Sequence, residues 1–356
     1  MSRQQHSKML SISEELKQKC LAGNIPYSVL IELTHRCNLA CKHCFVVPED
    51  RNELSADNIK DILDQLIEAG TFYVGWTGGE IFTRSDCCDI MDYAREKGFF
   101  QILLTNGTLI DEKRADFIKS IQPSGVEISL LGATPETHNS ITQVPGSFEK
   151  TVRAIRMLVQ MGVVVYTKTT LMTLNIAEYE QIQNLSKSLG AIPKILASVL
   201  PKINGACDPQ LYTISWQERI NFLQGESLSN SFIPEDDEAP SSSLICRAGR
   251  IAAAINPYGD VTPCVVFPLV LGNLKEQNFQ DIWHNKKNHQ LKEIRDLCES
   301  DIKQCSSCKL AMFCVRCMGA AFLEHKDFRY PSSCSCEEAG WKEYQRSNKK
   351  KDNKRE

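Results

Sequence analysis

The sequence predicts an α/β fold: a partial (β/α)6 barrel, TIM-like in its winding, followed by a small cysteine-rich region. Three observations carry this. Strand-like and helix-like patterns alternate six times between residues 27 and 200. Unusual polar or cysteine-rich stretches fall just after successive strands. Nine of the 16 cysteines lie beyond residue 245, where the alternation stops. Alternating β and α patterns imply a parallel sheet with right-handed crossovers.

The elements follow in order. "SVLIELT" (28–34) is a short apolar run with β-branched residues. In "LSADNIKDILDQLIEAG" (54–70), Ser55 is the N-cap candidate and Gly70 the stop. Ile59, Ile62, Leu63, Leu66 and Ile67 recur there at helical spacing. Strand "TFYVGW" (71–76), helix end "DIMDYAREKG" (89–98) and strand "FFQILLT" (99–105) come next. After the turn pair Asn106-Gly107, helix "DEKRADFIKSI" (111–121) leads to the buried strand "VEISLL" (126–131). Helix 147–162, strand 163–171, helix 175–190 and strand 193–200 complete the repeat.

The expected organisation is an N-terminal extension (1–26), a barrel (27–215), a polar linker (216–245), a cysteine-rich domain (246–340) and a charged, disordered tail (341–356). Apolar residues make up 42% of the chain, enough for a sizeable core. The net charge of −3 gives no general attraction to nucleic acid or to an anionic membrane. No apolar run approaches the about 18 residues of a membrane span, and residues 1–10 form no hydrophobic signal segment. The expected location is cytoplasmic, where clustered cysteines serve metals or redox chemistry rather than disulfides.

In barrels of this kind the chemistry sits on the loops after the C-terminal strand ends. "CNLACKHC" follows the first strand and holds Cys37, Cys41 and Cys44. "TGGE" (77–80) follows the second, "TNG" (105–107) the third, and Ser129 lies near the end of the fourth. Three thiolates are one short of a structural zinc site, which His35 or His43 would complete. An iron–sulfur cluster held by three thiolates leaves one iron open. The order CxxxCxxC after strand one and GGE after strand two resembles the radical SAM superfamily.

That resemblance implies a [4Fe-4S] cluster on Cys37, Cys41 and Cys44, with S-adenosylmethionine chelating the fourth iron. It places Gly78, Gly79 and Glu80 at the methionine end, with Glu80 accepting from the ammonium group. Asn106 would face the ribose hydroxyls, and Ser129 the methionine or ribose end. Lys150 would meet the carboxylate, with Arg153 as its competitor. Many relatives carry an acid where this chain has Leu131. His138 reads as a polar helix-start residue, and Cys87 and Cys88 as ordinary thiols at a helix start.

The second cysteine group runs Cys246-x12-Gly259-x4-Cys264, then Cys305-x2-Cys308-x5-Cys314-x2-Cys317, then Cys334 and Cys336. It resembles the SPASM extension of some radical SAM enzymes, as does "LGNLKEQNFQDIWHN" (271–285). Relatives often place three residues, not two, between the last pair of the four. The resemblance implies two auxiliary [4Fe-4S] clusters. Cys246, Cys264 and Cys317 would hold the first, with its fourth position left to an open iron, a non-cysteine ligand or Cys207. Cys305, Cys308, Cys314 and Cys334 would hold the second, with Cys336 the rival to Cys334. Zinc is the alternative for these CxxC pairs. Cys20 and Cys298 read as plain thiols.

The activity implied is reductive cleavage of S-adenosylmethionine to a 5′-deoxyadenosyl radical, which abstracts hydrogen from an unactivated carbon. The auxiliary clusters would take the electron left on product, or bind substrate directly. SPASM enzymes mostly act on peptides or proteins, so the expected substrate is a ribosomally made precursor peptide, oxidatively modified or cross-linked as by maturases of the PQQ and mycofactocin type. The expected partners are that peptide, a separate peptide-recognition protein and a flavodoxin- or ferredoxin-type electron donor. The rivals are a haem-pathway enzyme acting on tetrapyrroles, a sulfatase-maturing enzyme, and a zinc-stabilised scaffold without activity.

Overall fold

The structure is a computed structural model that describes residues 15–196, 198–222 and 246–352. Helix α1 occupies residues 15–23. The barrel elements are β1 (Ser28–Thr34), α2 (Ala56–Glu68), β2 (Tyr73–Gly78), α3 (Cys87–Glu96), β3 (Phe100–Thr105), α4 (Glu112–Ile121) and β4 (Gly125–Ser129). They continue with α5 (Pro135–Thr142), α6 (Ser147–Gln160), β5 (Val165–Thr170), α7 (Tyr179–Ser188) and β6 (Ile192–Leu196). After α8 (Trp216–Phe222) come β7 (Ala252–Ile255), β8 (Asp260–Thr262) and β9 (Gly272–Asn273). The helices α9 (Phe279–Trp283), α10 (His289–Asp296), α11 (Lys303–Ser306), α12 (Met318–His325) and α13 (Ser333–Asp352) complete the described chain.

Strands β1 to β6 lie side by side in chain order and all run parallel, as an open (β/α)6 barrel requires. The expected six strands are therefore present, with ends shifted by a few residues. Ser55 caps α2 as expected, through a reciprocal capping box with Asn58. The apolar positions of α2 bury Ile59, Ile62, Leu63 and Leu66 in the core, while Ile67 stays 41% exposed. One polar link is sealed inside that core: the Trp76 indole donates to Gln101 Oε1 (2.6 Å), and Gln101 donates to the Met91 carbonyl (3.0 Å).

Two features differ from the sequence expectation. First, the sheet does not end at β1. Among the described residues it has nine strands, ordered β6-β5-β4-β3-β2-β1-β7-β8-β9. Strand β7 pairs parallel with β1, from Ser28↔Ala252 to Ile31↔Ile255, and β8 and β9 add antiparallel. The first part of the cysteine-rich region is thus built into the barrel sheet. Gly259 turns β7 into β8 with φ +93°, a conformation that favours glycine.

Second, the segment expected as a disordered tail from 341 is the continuation of α13 through Asp352. The helix is anchored by its early turns: Trp341 and Ala339 are buried, and the Trp216 backbone amide donates to Glu337 (2.7 Å). Arg219 pairs with Glu338 at 3.2 Å. Helix α8 occupies the start of the expected linker. Residues 1–14 of the expected extension, 223–245 of the linker and 353–356 of the tail lie outside the described residues.

Candidate iron–sulfur and S-adenosylmethionine site

The loop after β1 is held by its neighbours rather than by regular structure. The amides of Ala40 and Lys42 donate to the carbonyls of Thr142 (3.1 Å) and Ile141 (3.0 Å). Those carbonyls belong to the last turn of α5, where helix acceptors have no partner of their own. Cys37, Cys41 and Cys44 are brought together around one cavity of about 660 Å³. Gly79, His35 and Arg36 share its wall, and Lys202, Asp208 and Tyr212 bound it from the segment after β6. Burial raises all three thiols, with Cys41 pushed up to about 12. Burial thus disfavours the thiolate form in this loop, and the positive charge of a bound metal would favour it.

The glycines have a reason inside the protein itself. A Cβ on Gly78 would lie 2.2 Å from the Thr34 carbonyl oxygen, and one on Gly79 would lie 2.3 Å from that of Arg36. The ends of β1 and β2 approach too closely for any side chain, and Gly78 has φ +128°. The Gly79 and Glu80 amides donate to Thr34 and Arg36 (2.8 and 2.9 Å), which locks the two loops together.

Glu80 is fully buried. Its Oε1 accepts from Thr105 Oγ1 (2.7 Å) and the Phe82 amide (3.2 Å), and its Oε2 accepts from the Asn106 amide (2.7 Å). Burial raises its pKa, while these donors and Arg114 pull against that rise. In this structure Glu80 stands behind the site wall and ties the end of β2 to the end of β3. Asn106 then reaches the cysteine loop: its amide group donates to Asn38 Oδ1 (3.0 Å) and sits 3.9 Å from Cys37 Sγ.

Ser129 is half-buried on β4, in register with Lys168 on β5. Lys150 lies on α6, and its neighbour Arg153 pairs with Glu112. Cys207 is exposed, on the segment that bounds the cavity through Lys202 and Asp208, an ion pair at 2.8 Å. His35 lies 3.4 Å from the buried Glu32. His138 is buried on α5, and its Nδ1 accepts from the Leu131 amide (3.2 Å). Among the described residues no three Cys, His, Asp or Glu side chains come close enough to share a single metal ion. Three soft thiols spread round a cavity fit a multi-iron cluster, with one thiolate per iron.

Sequence reading missed a polar row across β4, β5 and β6. Glu127 on β4 meets Lys168 on β5 (3.4 Å) and Lys194 on β6 (2.7 Å). Lys194 also sits 3.7 Å from the centre of the Tyr166 ring. Glu127 and Ser129 share one face of β4, since strand side chains alternate. The signal was present in "VYTKTT", where every second residue of β5 is buried and the rest, Lys168 included, are only half-covered.

Residues 31–189 match the radical SAM superfamily model, and residues 246–309 match the iron–sulfur cluster-binding SPASM domain. The chain is 31% identical over 317 residues to mycofactocin maturase MftC of Mycobacterium tuberculosis, covering 83% of this chain and 79% of that one. The chain belongs to the radical SAM superfamily. It is also 26% identical over 342 residues to an AdoMet-dependent heme synthase of Methanosarcina barkeri, covering 86% of this chain and 95% of that one. Its fold is shared with SuiB of Streptococcus suis, solved bound to the precursor peptide SuiA: TM-score 0.64 at 18% identity, over 92% of this chain and 81% of that one. As a radical SAM enzyme with a SPASM domain, it works with iron–sulfur clusters and S-adenosylmethionine.

The SPASM cysteines gather around a second, smaller core. Cys246, Cys264 and Cys305 pack against buried Ala248, Phe267, Ile302 and Met318. Burial pushes Cys264 up to about 11, and the neighbouring Cys246 and Cys317 add to the rise. Cys317 Sγ accepts from the Ala320 amide (3.3 Å) at the start of α12. Buried Arg316 donates to the Phe328 carbonyl (2.6 Å), and its Nε and Nη1 have no hydrogen-bond partner among the described residues. Burial lowers its pKa, opposed by Cys305, Cys314, Cys317 and Cys246, so its guanidinium lies among cysteines of both expected sets. Cys20 is buried and Cys298 half-buried. Among the described residues no helix is long and apolar enough to cross a membrane.

Proposed function

We propose that this radical SAM/SPASM enzyme oxidatively modifies, by cross-linking or a related change, a ribosomally made peptide. The observation that carries the reading is the likeness to mycofactocin maturase across both domains, at 31% identity. In this reading Cys37, Cys41 and Cys44 hold the cluster that binds S-adenosylmethionine, with Gly78, Gly79, Glu80, Asn106, Ser129 and Lys150 around the cosubstrate. Cys246, Cys264 and Cys317 hold one auxiliary cluster, and Cys305, Cys308, Cys314 and Cys334 the other. When bound, the first cluster and S-adenosylmethionine supply a 5′-deoxyadenosyl radical that removes a hydrogen atom from substrate carbon.

The protein's own residues do the positioning. The α5 carbonyls fix the cysteine loop, and Glu80 fixes the Asn106 loop against it. The segment carrying Lys202, Asp208 and Tyr212 screens the cavity from one side, where solvent would quench a radical. The peptide reaches the enzyme through a separate recognition protein, and a flavodoxin- or ferredoxin-type donor supplies the electron in the cytoplasm.

One second reading has a specific observation behind it: the likeness to a heme synthase, which covers 95% of that relative. The two are separated by anaerobic incubation with reductant, S-adenosylmethionine and either the peptide encoded beside this chain's gene or a tetrapyrrole. Peptide maturation predicts 5′-deoxyadenosine together with a mass loss in the peptide. An unchanged peptide with an altered tetrapyrrole overturns the substrate assignment. Deoxyadenosine formation by a variant with Cys37, Cys41 and Cys44 all replaced by Ala overturns the site assignment.

A further inference from the structure

The parallel sheet has one face packed under helices and one that is not. Val126, Ile128 and Val165 lie in the main core, and Thr167 on β5 meets Ser186 on α7, their hydroxyls 2.6 Å apart. Side chains alternate along a strand, so Glu127, Ser129, Tyr166 and Lys168 face the other way. Lys194 reaches both Glu127 and the Tyr166 ring, which puts it on that second face. Phe100, next to the buried Gln101, lies there too, as does Ile192, paired with Tyr166. These two apolar side chains are 55% and 50% exposed. Parallel sheets are normally covered on both faces. This face is the inner side of the open barrel, and its apolar residues lack a cover of their own.

The polar row on this face carries unbalanced charge. Glu127 Oε1 accepts from Lys194 (2.7 Å), and its Oε2 lies 3.4 Å from Lys168 Nζ. Burial pushes the Glu127 carboxyl up, but the two ammonium groups more than offset it and hold it below the usual range. One carboxylate therefore faces two cations, and one positive charge is left over. Lys194 is braced: its Nζ stands 3.7 Å from the centre of the Tyr166 ring, and that ring lies over Gly125, where a Cβ would come within 2.8 Å of it. Both lysines are partly exposed, and an ammonium has three donors, so each can take a further acceptor. By register, Lys168 and Lys194 stand level with Ser129, two residues nearer the strand ends than Glu127. The free charge thus lies toward the end of the barrel that carries the cysteine loop.

We propose that Lys168 and Lys194 bind a carboxylate of the substrate peptide on this face, a step that rests on the peptide-modifying reading above. The peptide then covers Phe100 and Ile192 with its apolar side chains. Glu127 positions the two ammonium groups and sets the charge that remains for the ligand. Charge complementarity selects the occupant: an acidic segment or a free C-terminus balances the row, and a basic segment is repelled by it. Lys168 and Lys194 are specificity residues in this arrangement and take no part in the cleavage of S-adenosylmethionine.

The test measures binding by the full chain, with its clusters reconstituted and S-adenosylmethionine present. The probe is the peptide encoded beside this chain's gene, labelled with a fluorophore and read by anisotropy. Two neutralised versions carry either a C-terminal amide or Asn and Gln in place of every Asp and Glu. The parent should bind the native peptide about tenfold more tightly than one of these, the size of one hydrogen bond to a charged group. Which version weakens identifies the carboxylate. K168Q/K194Q should bind the native peptide and that version alike. E127Q removes the competing carboxylate and should bind the native peptide more tightly than the parent does. Iron content equal to the parent's shows that each variant is folded. The assignment is overturned, with peptide modification still standing, if the parent shows no preference or if K168Q/K194Q keeps it. It is overturned equally if E127Q weakens binding as the lysine variants do, because the row would then only staple the sheet. Weaker binding of S-adenosylmethionine by K168Q/K194Q, with the peptide preference intact, gives the carboxylate to the cosubstrate and also overturns it. If the parent neither binds nor modifies the peptide, the peptide reading falls and this assignment with it.

Discussion

The buried carboxylate of Glu80 offers a sharp test of how the site is held. In Glu80→Gln one oxygen becomes an NH2 group, although all three groups that face the carboxylate are donors. The cheaper orientation keeps the amide oxygen toward Thr105 and Phe82 and turns the NH2 toward the Asn106 amide, so two donors face each other. Thr105 has little freedom to reverse, because its oxygen already accepts from the Gly107 amide (3.0 Å). A buried donor left without an acceptor costs about 1–3 kcal/mol. At about 1.4 kcal/mol per factor of ten, the Asn106 amide should exchange with deuterium roughly 5- to 150-fold faster. Hydrogen-exchange mass spectrometry of the segment around 104–108, in protein with full iron content, measures this directly. Exchange within about twofold of the parent would refute the strut, because the loop would then not depend on the carboxylate. Exchange in β5, which Glu80 does not touch, should stay unchanged.

Other consequences follow from buried charge. His138 is pushed down to about 4 by burial, and its Nδ1 must stay unprotonated to accept from Leu131. Its folded pKa lies below its unfolded one, so stability is lost as pH falls from about 6.5 toward 4. At pH 5.5 the loss is about 1.4 kcal/mol. The unfolding free energy lost between pH 7.5 and 5.5, read from urea unfolding, should shrink by that amount in His138→Gln, and an unchanged loss would refute the assignment. Arg51→Ala removes a two-pronged contact to Asp260 (2.6 and 3.1 Å) that joins the segment after the cysteine loop to β8. Asp260 keeps Asn256 and Asn273, and Arg51 is partly exposed, so the expected cost is about 1–2 kcal/mol, seen as a lower Tm. Arg316→Met removes a buried cation from among the auxiliary cysteines. A residual attraction of about 1 kcal/mol corresponds to a fall in auxiliary-cluster potential on the order of 50 mV, read by EPR-monitored titration.

What the sequence made legible was local. The parallel strands announce themselves by length and β-branched content, and the cysteine loop by spacing within eight residues. Strand β7 was hidden because "AAAI" has no strand signature of its own; it becomes a strand by pairing with β1, which is a tertiary fact. The helical tail was hidden for a similar reason. The charged stretch after 345 dominates its composition, whereas the anchors at Ala339 and Trp341 matter only once the helix packs beside Trp216. The TGGE stretch drew attention to Glu80, but its donors Thr105 and Asn106 come from the end of a strand about 25 residues further on. The Glu127–Lys168–Lys194 row likewise needs three strands in register before it exists.

The pairing of β7 with β1 also bears on what the auxiliary clusters can do. Without β7, the strand that carries the cysteine loop would be an open edge, with its backbone groups unpaired. The β7–β8 hairpin closes that edge and runs in a fixed direction. Its turn, 256–260, lies at the loop end of β1, where Tyr258 accepts from the Glu49 amide and Arg51 meets Asp260. Cys246 precedes β7 and Cys264 follows β8, so both leave the hairpin at its other end, beside Ser28. Cys37 lies three residues beyond the opposite end of β1. One strand of seven residues, at about 3.3 Å each, then separates the two cysteine sets by roughly 20 Å. A substrate carbon held at the barrel-top cavity cannot at the same time touch the Cys246 set. An extended peptide would need about six residues to span the distance. Of the two roles open to that cluster, passing on the electron released from substrate asks for no such reach, and the topology favours it over direct ligation.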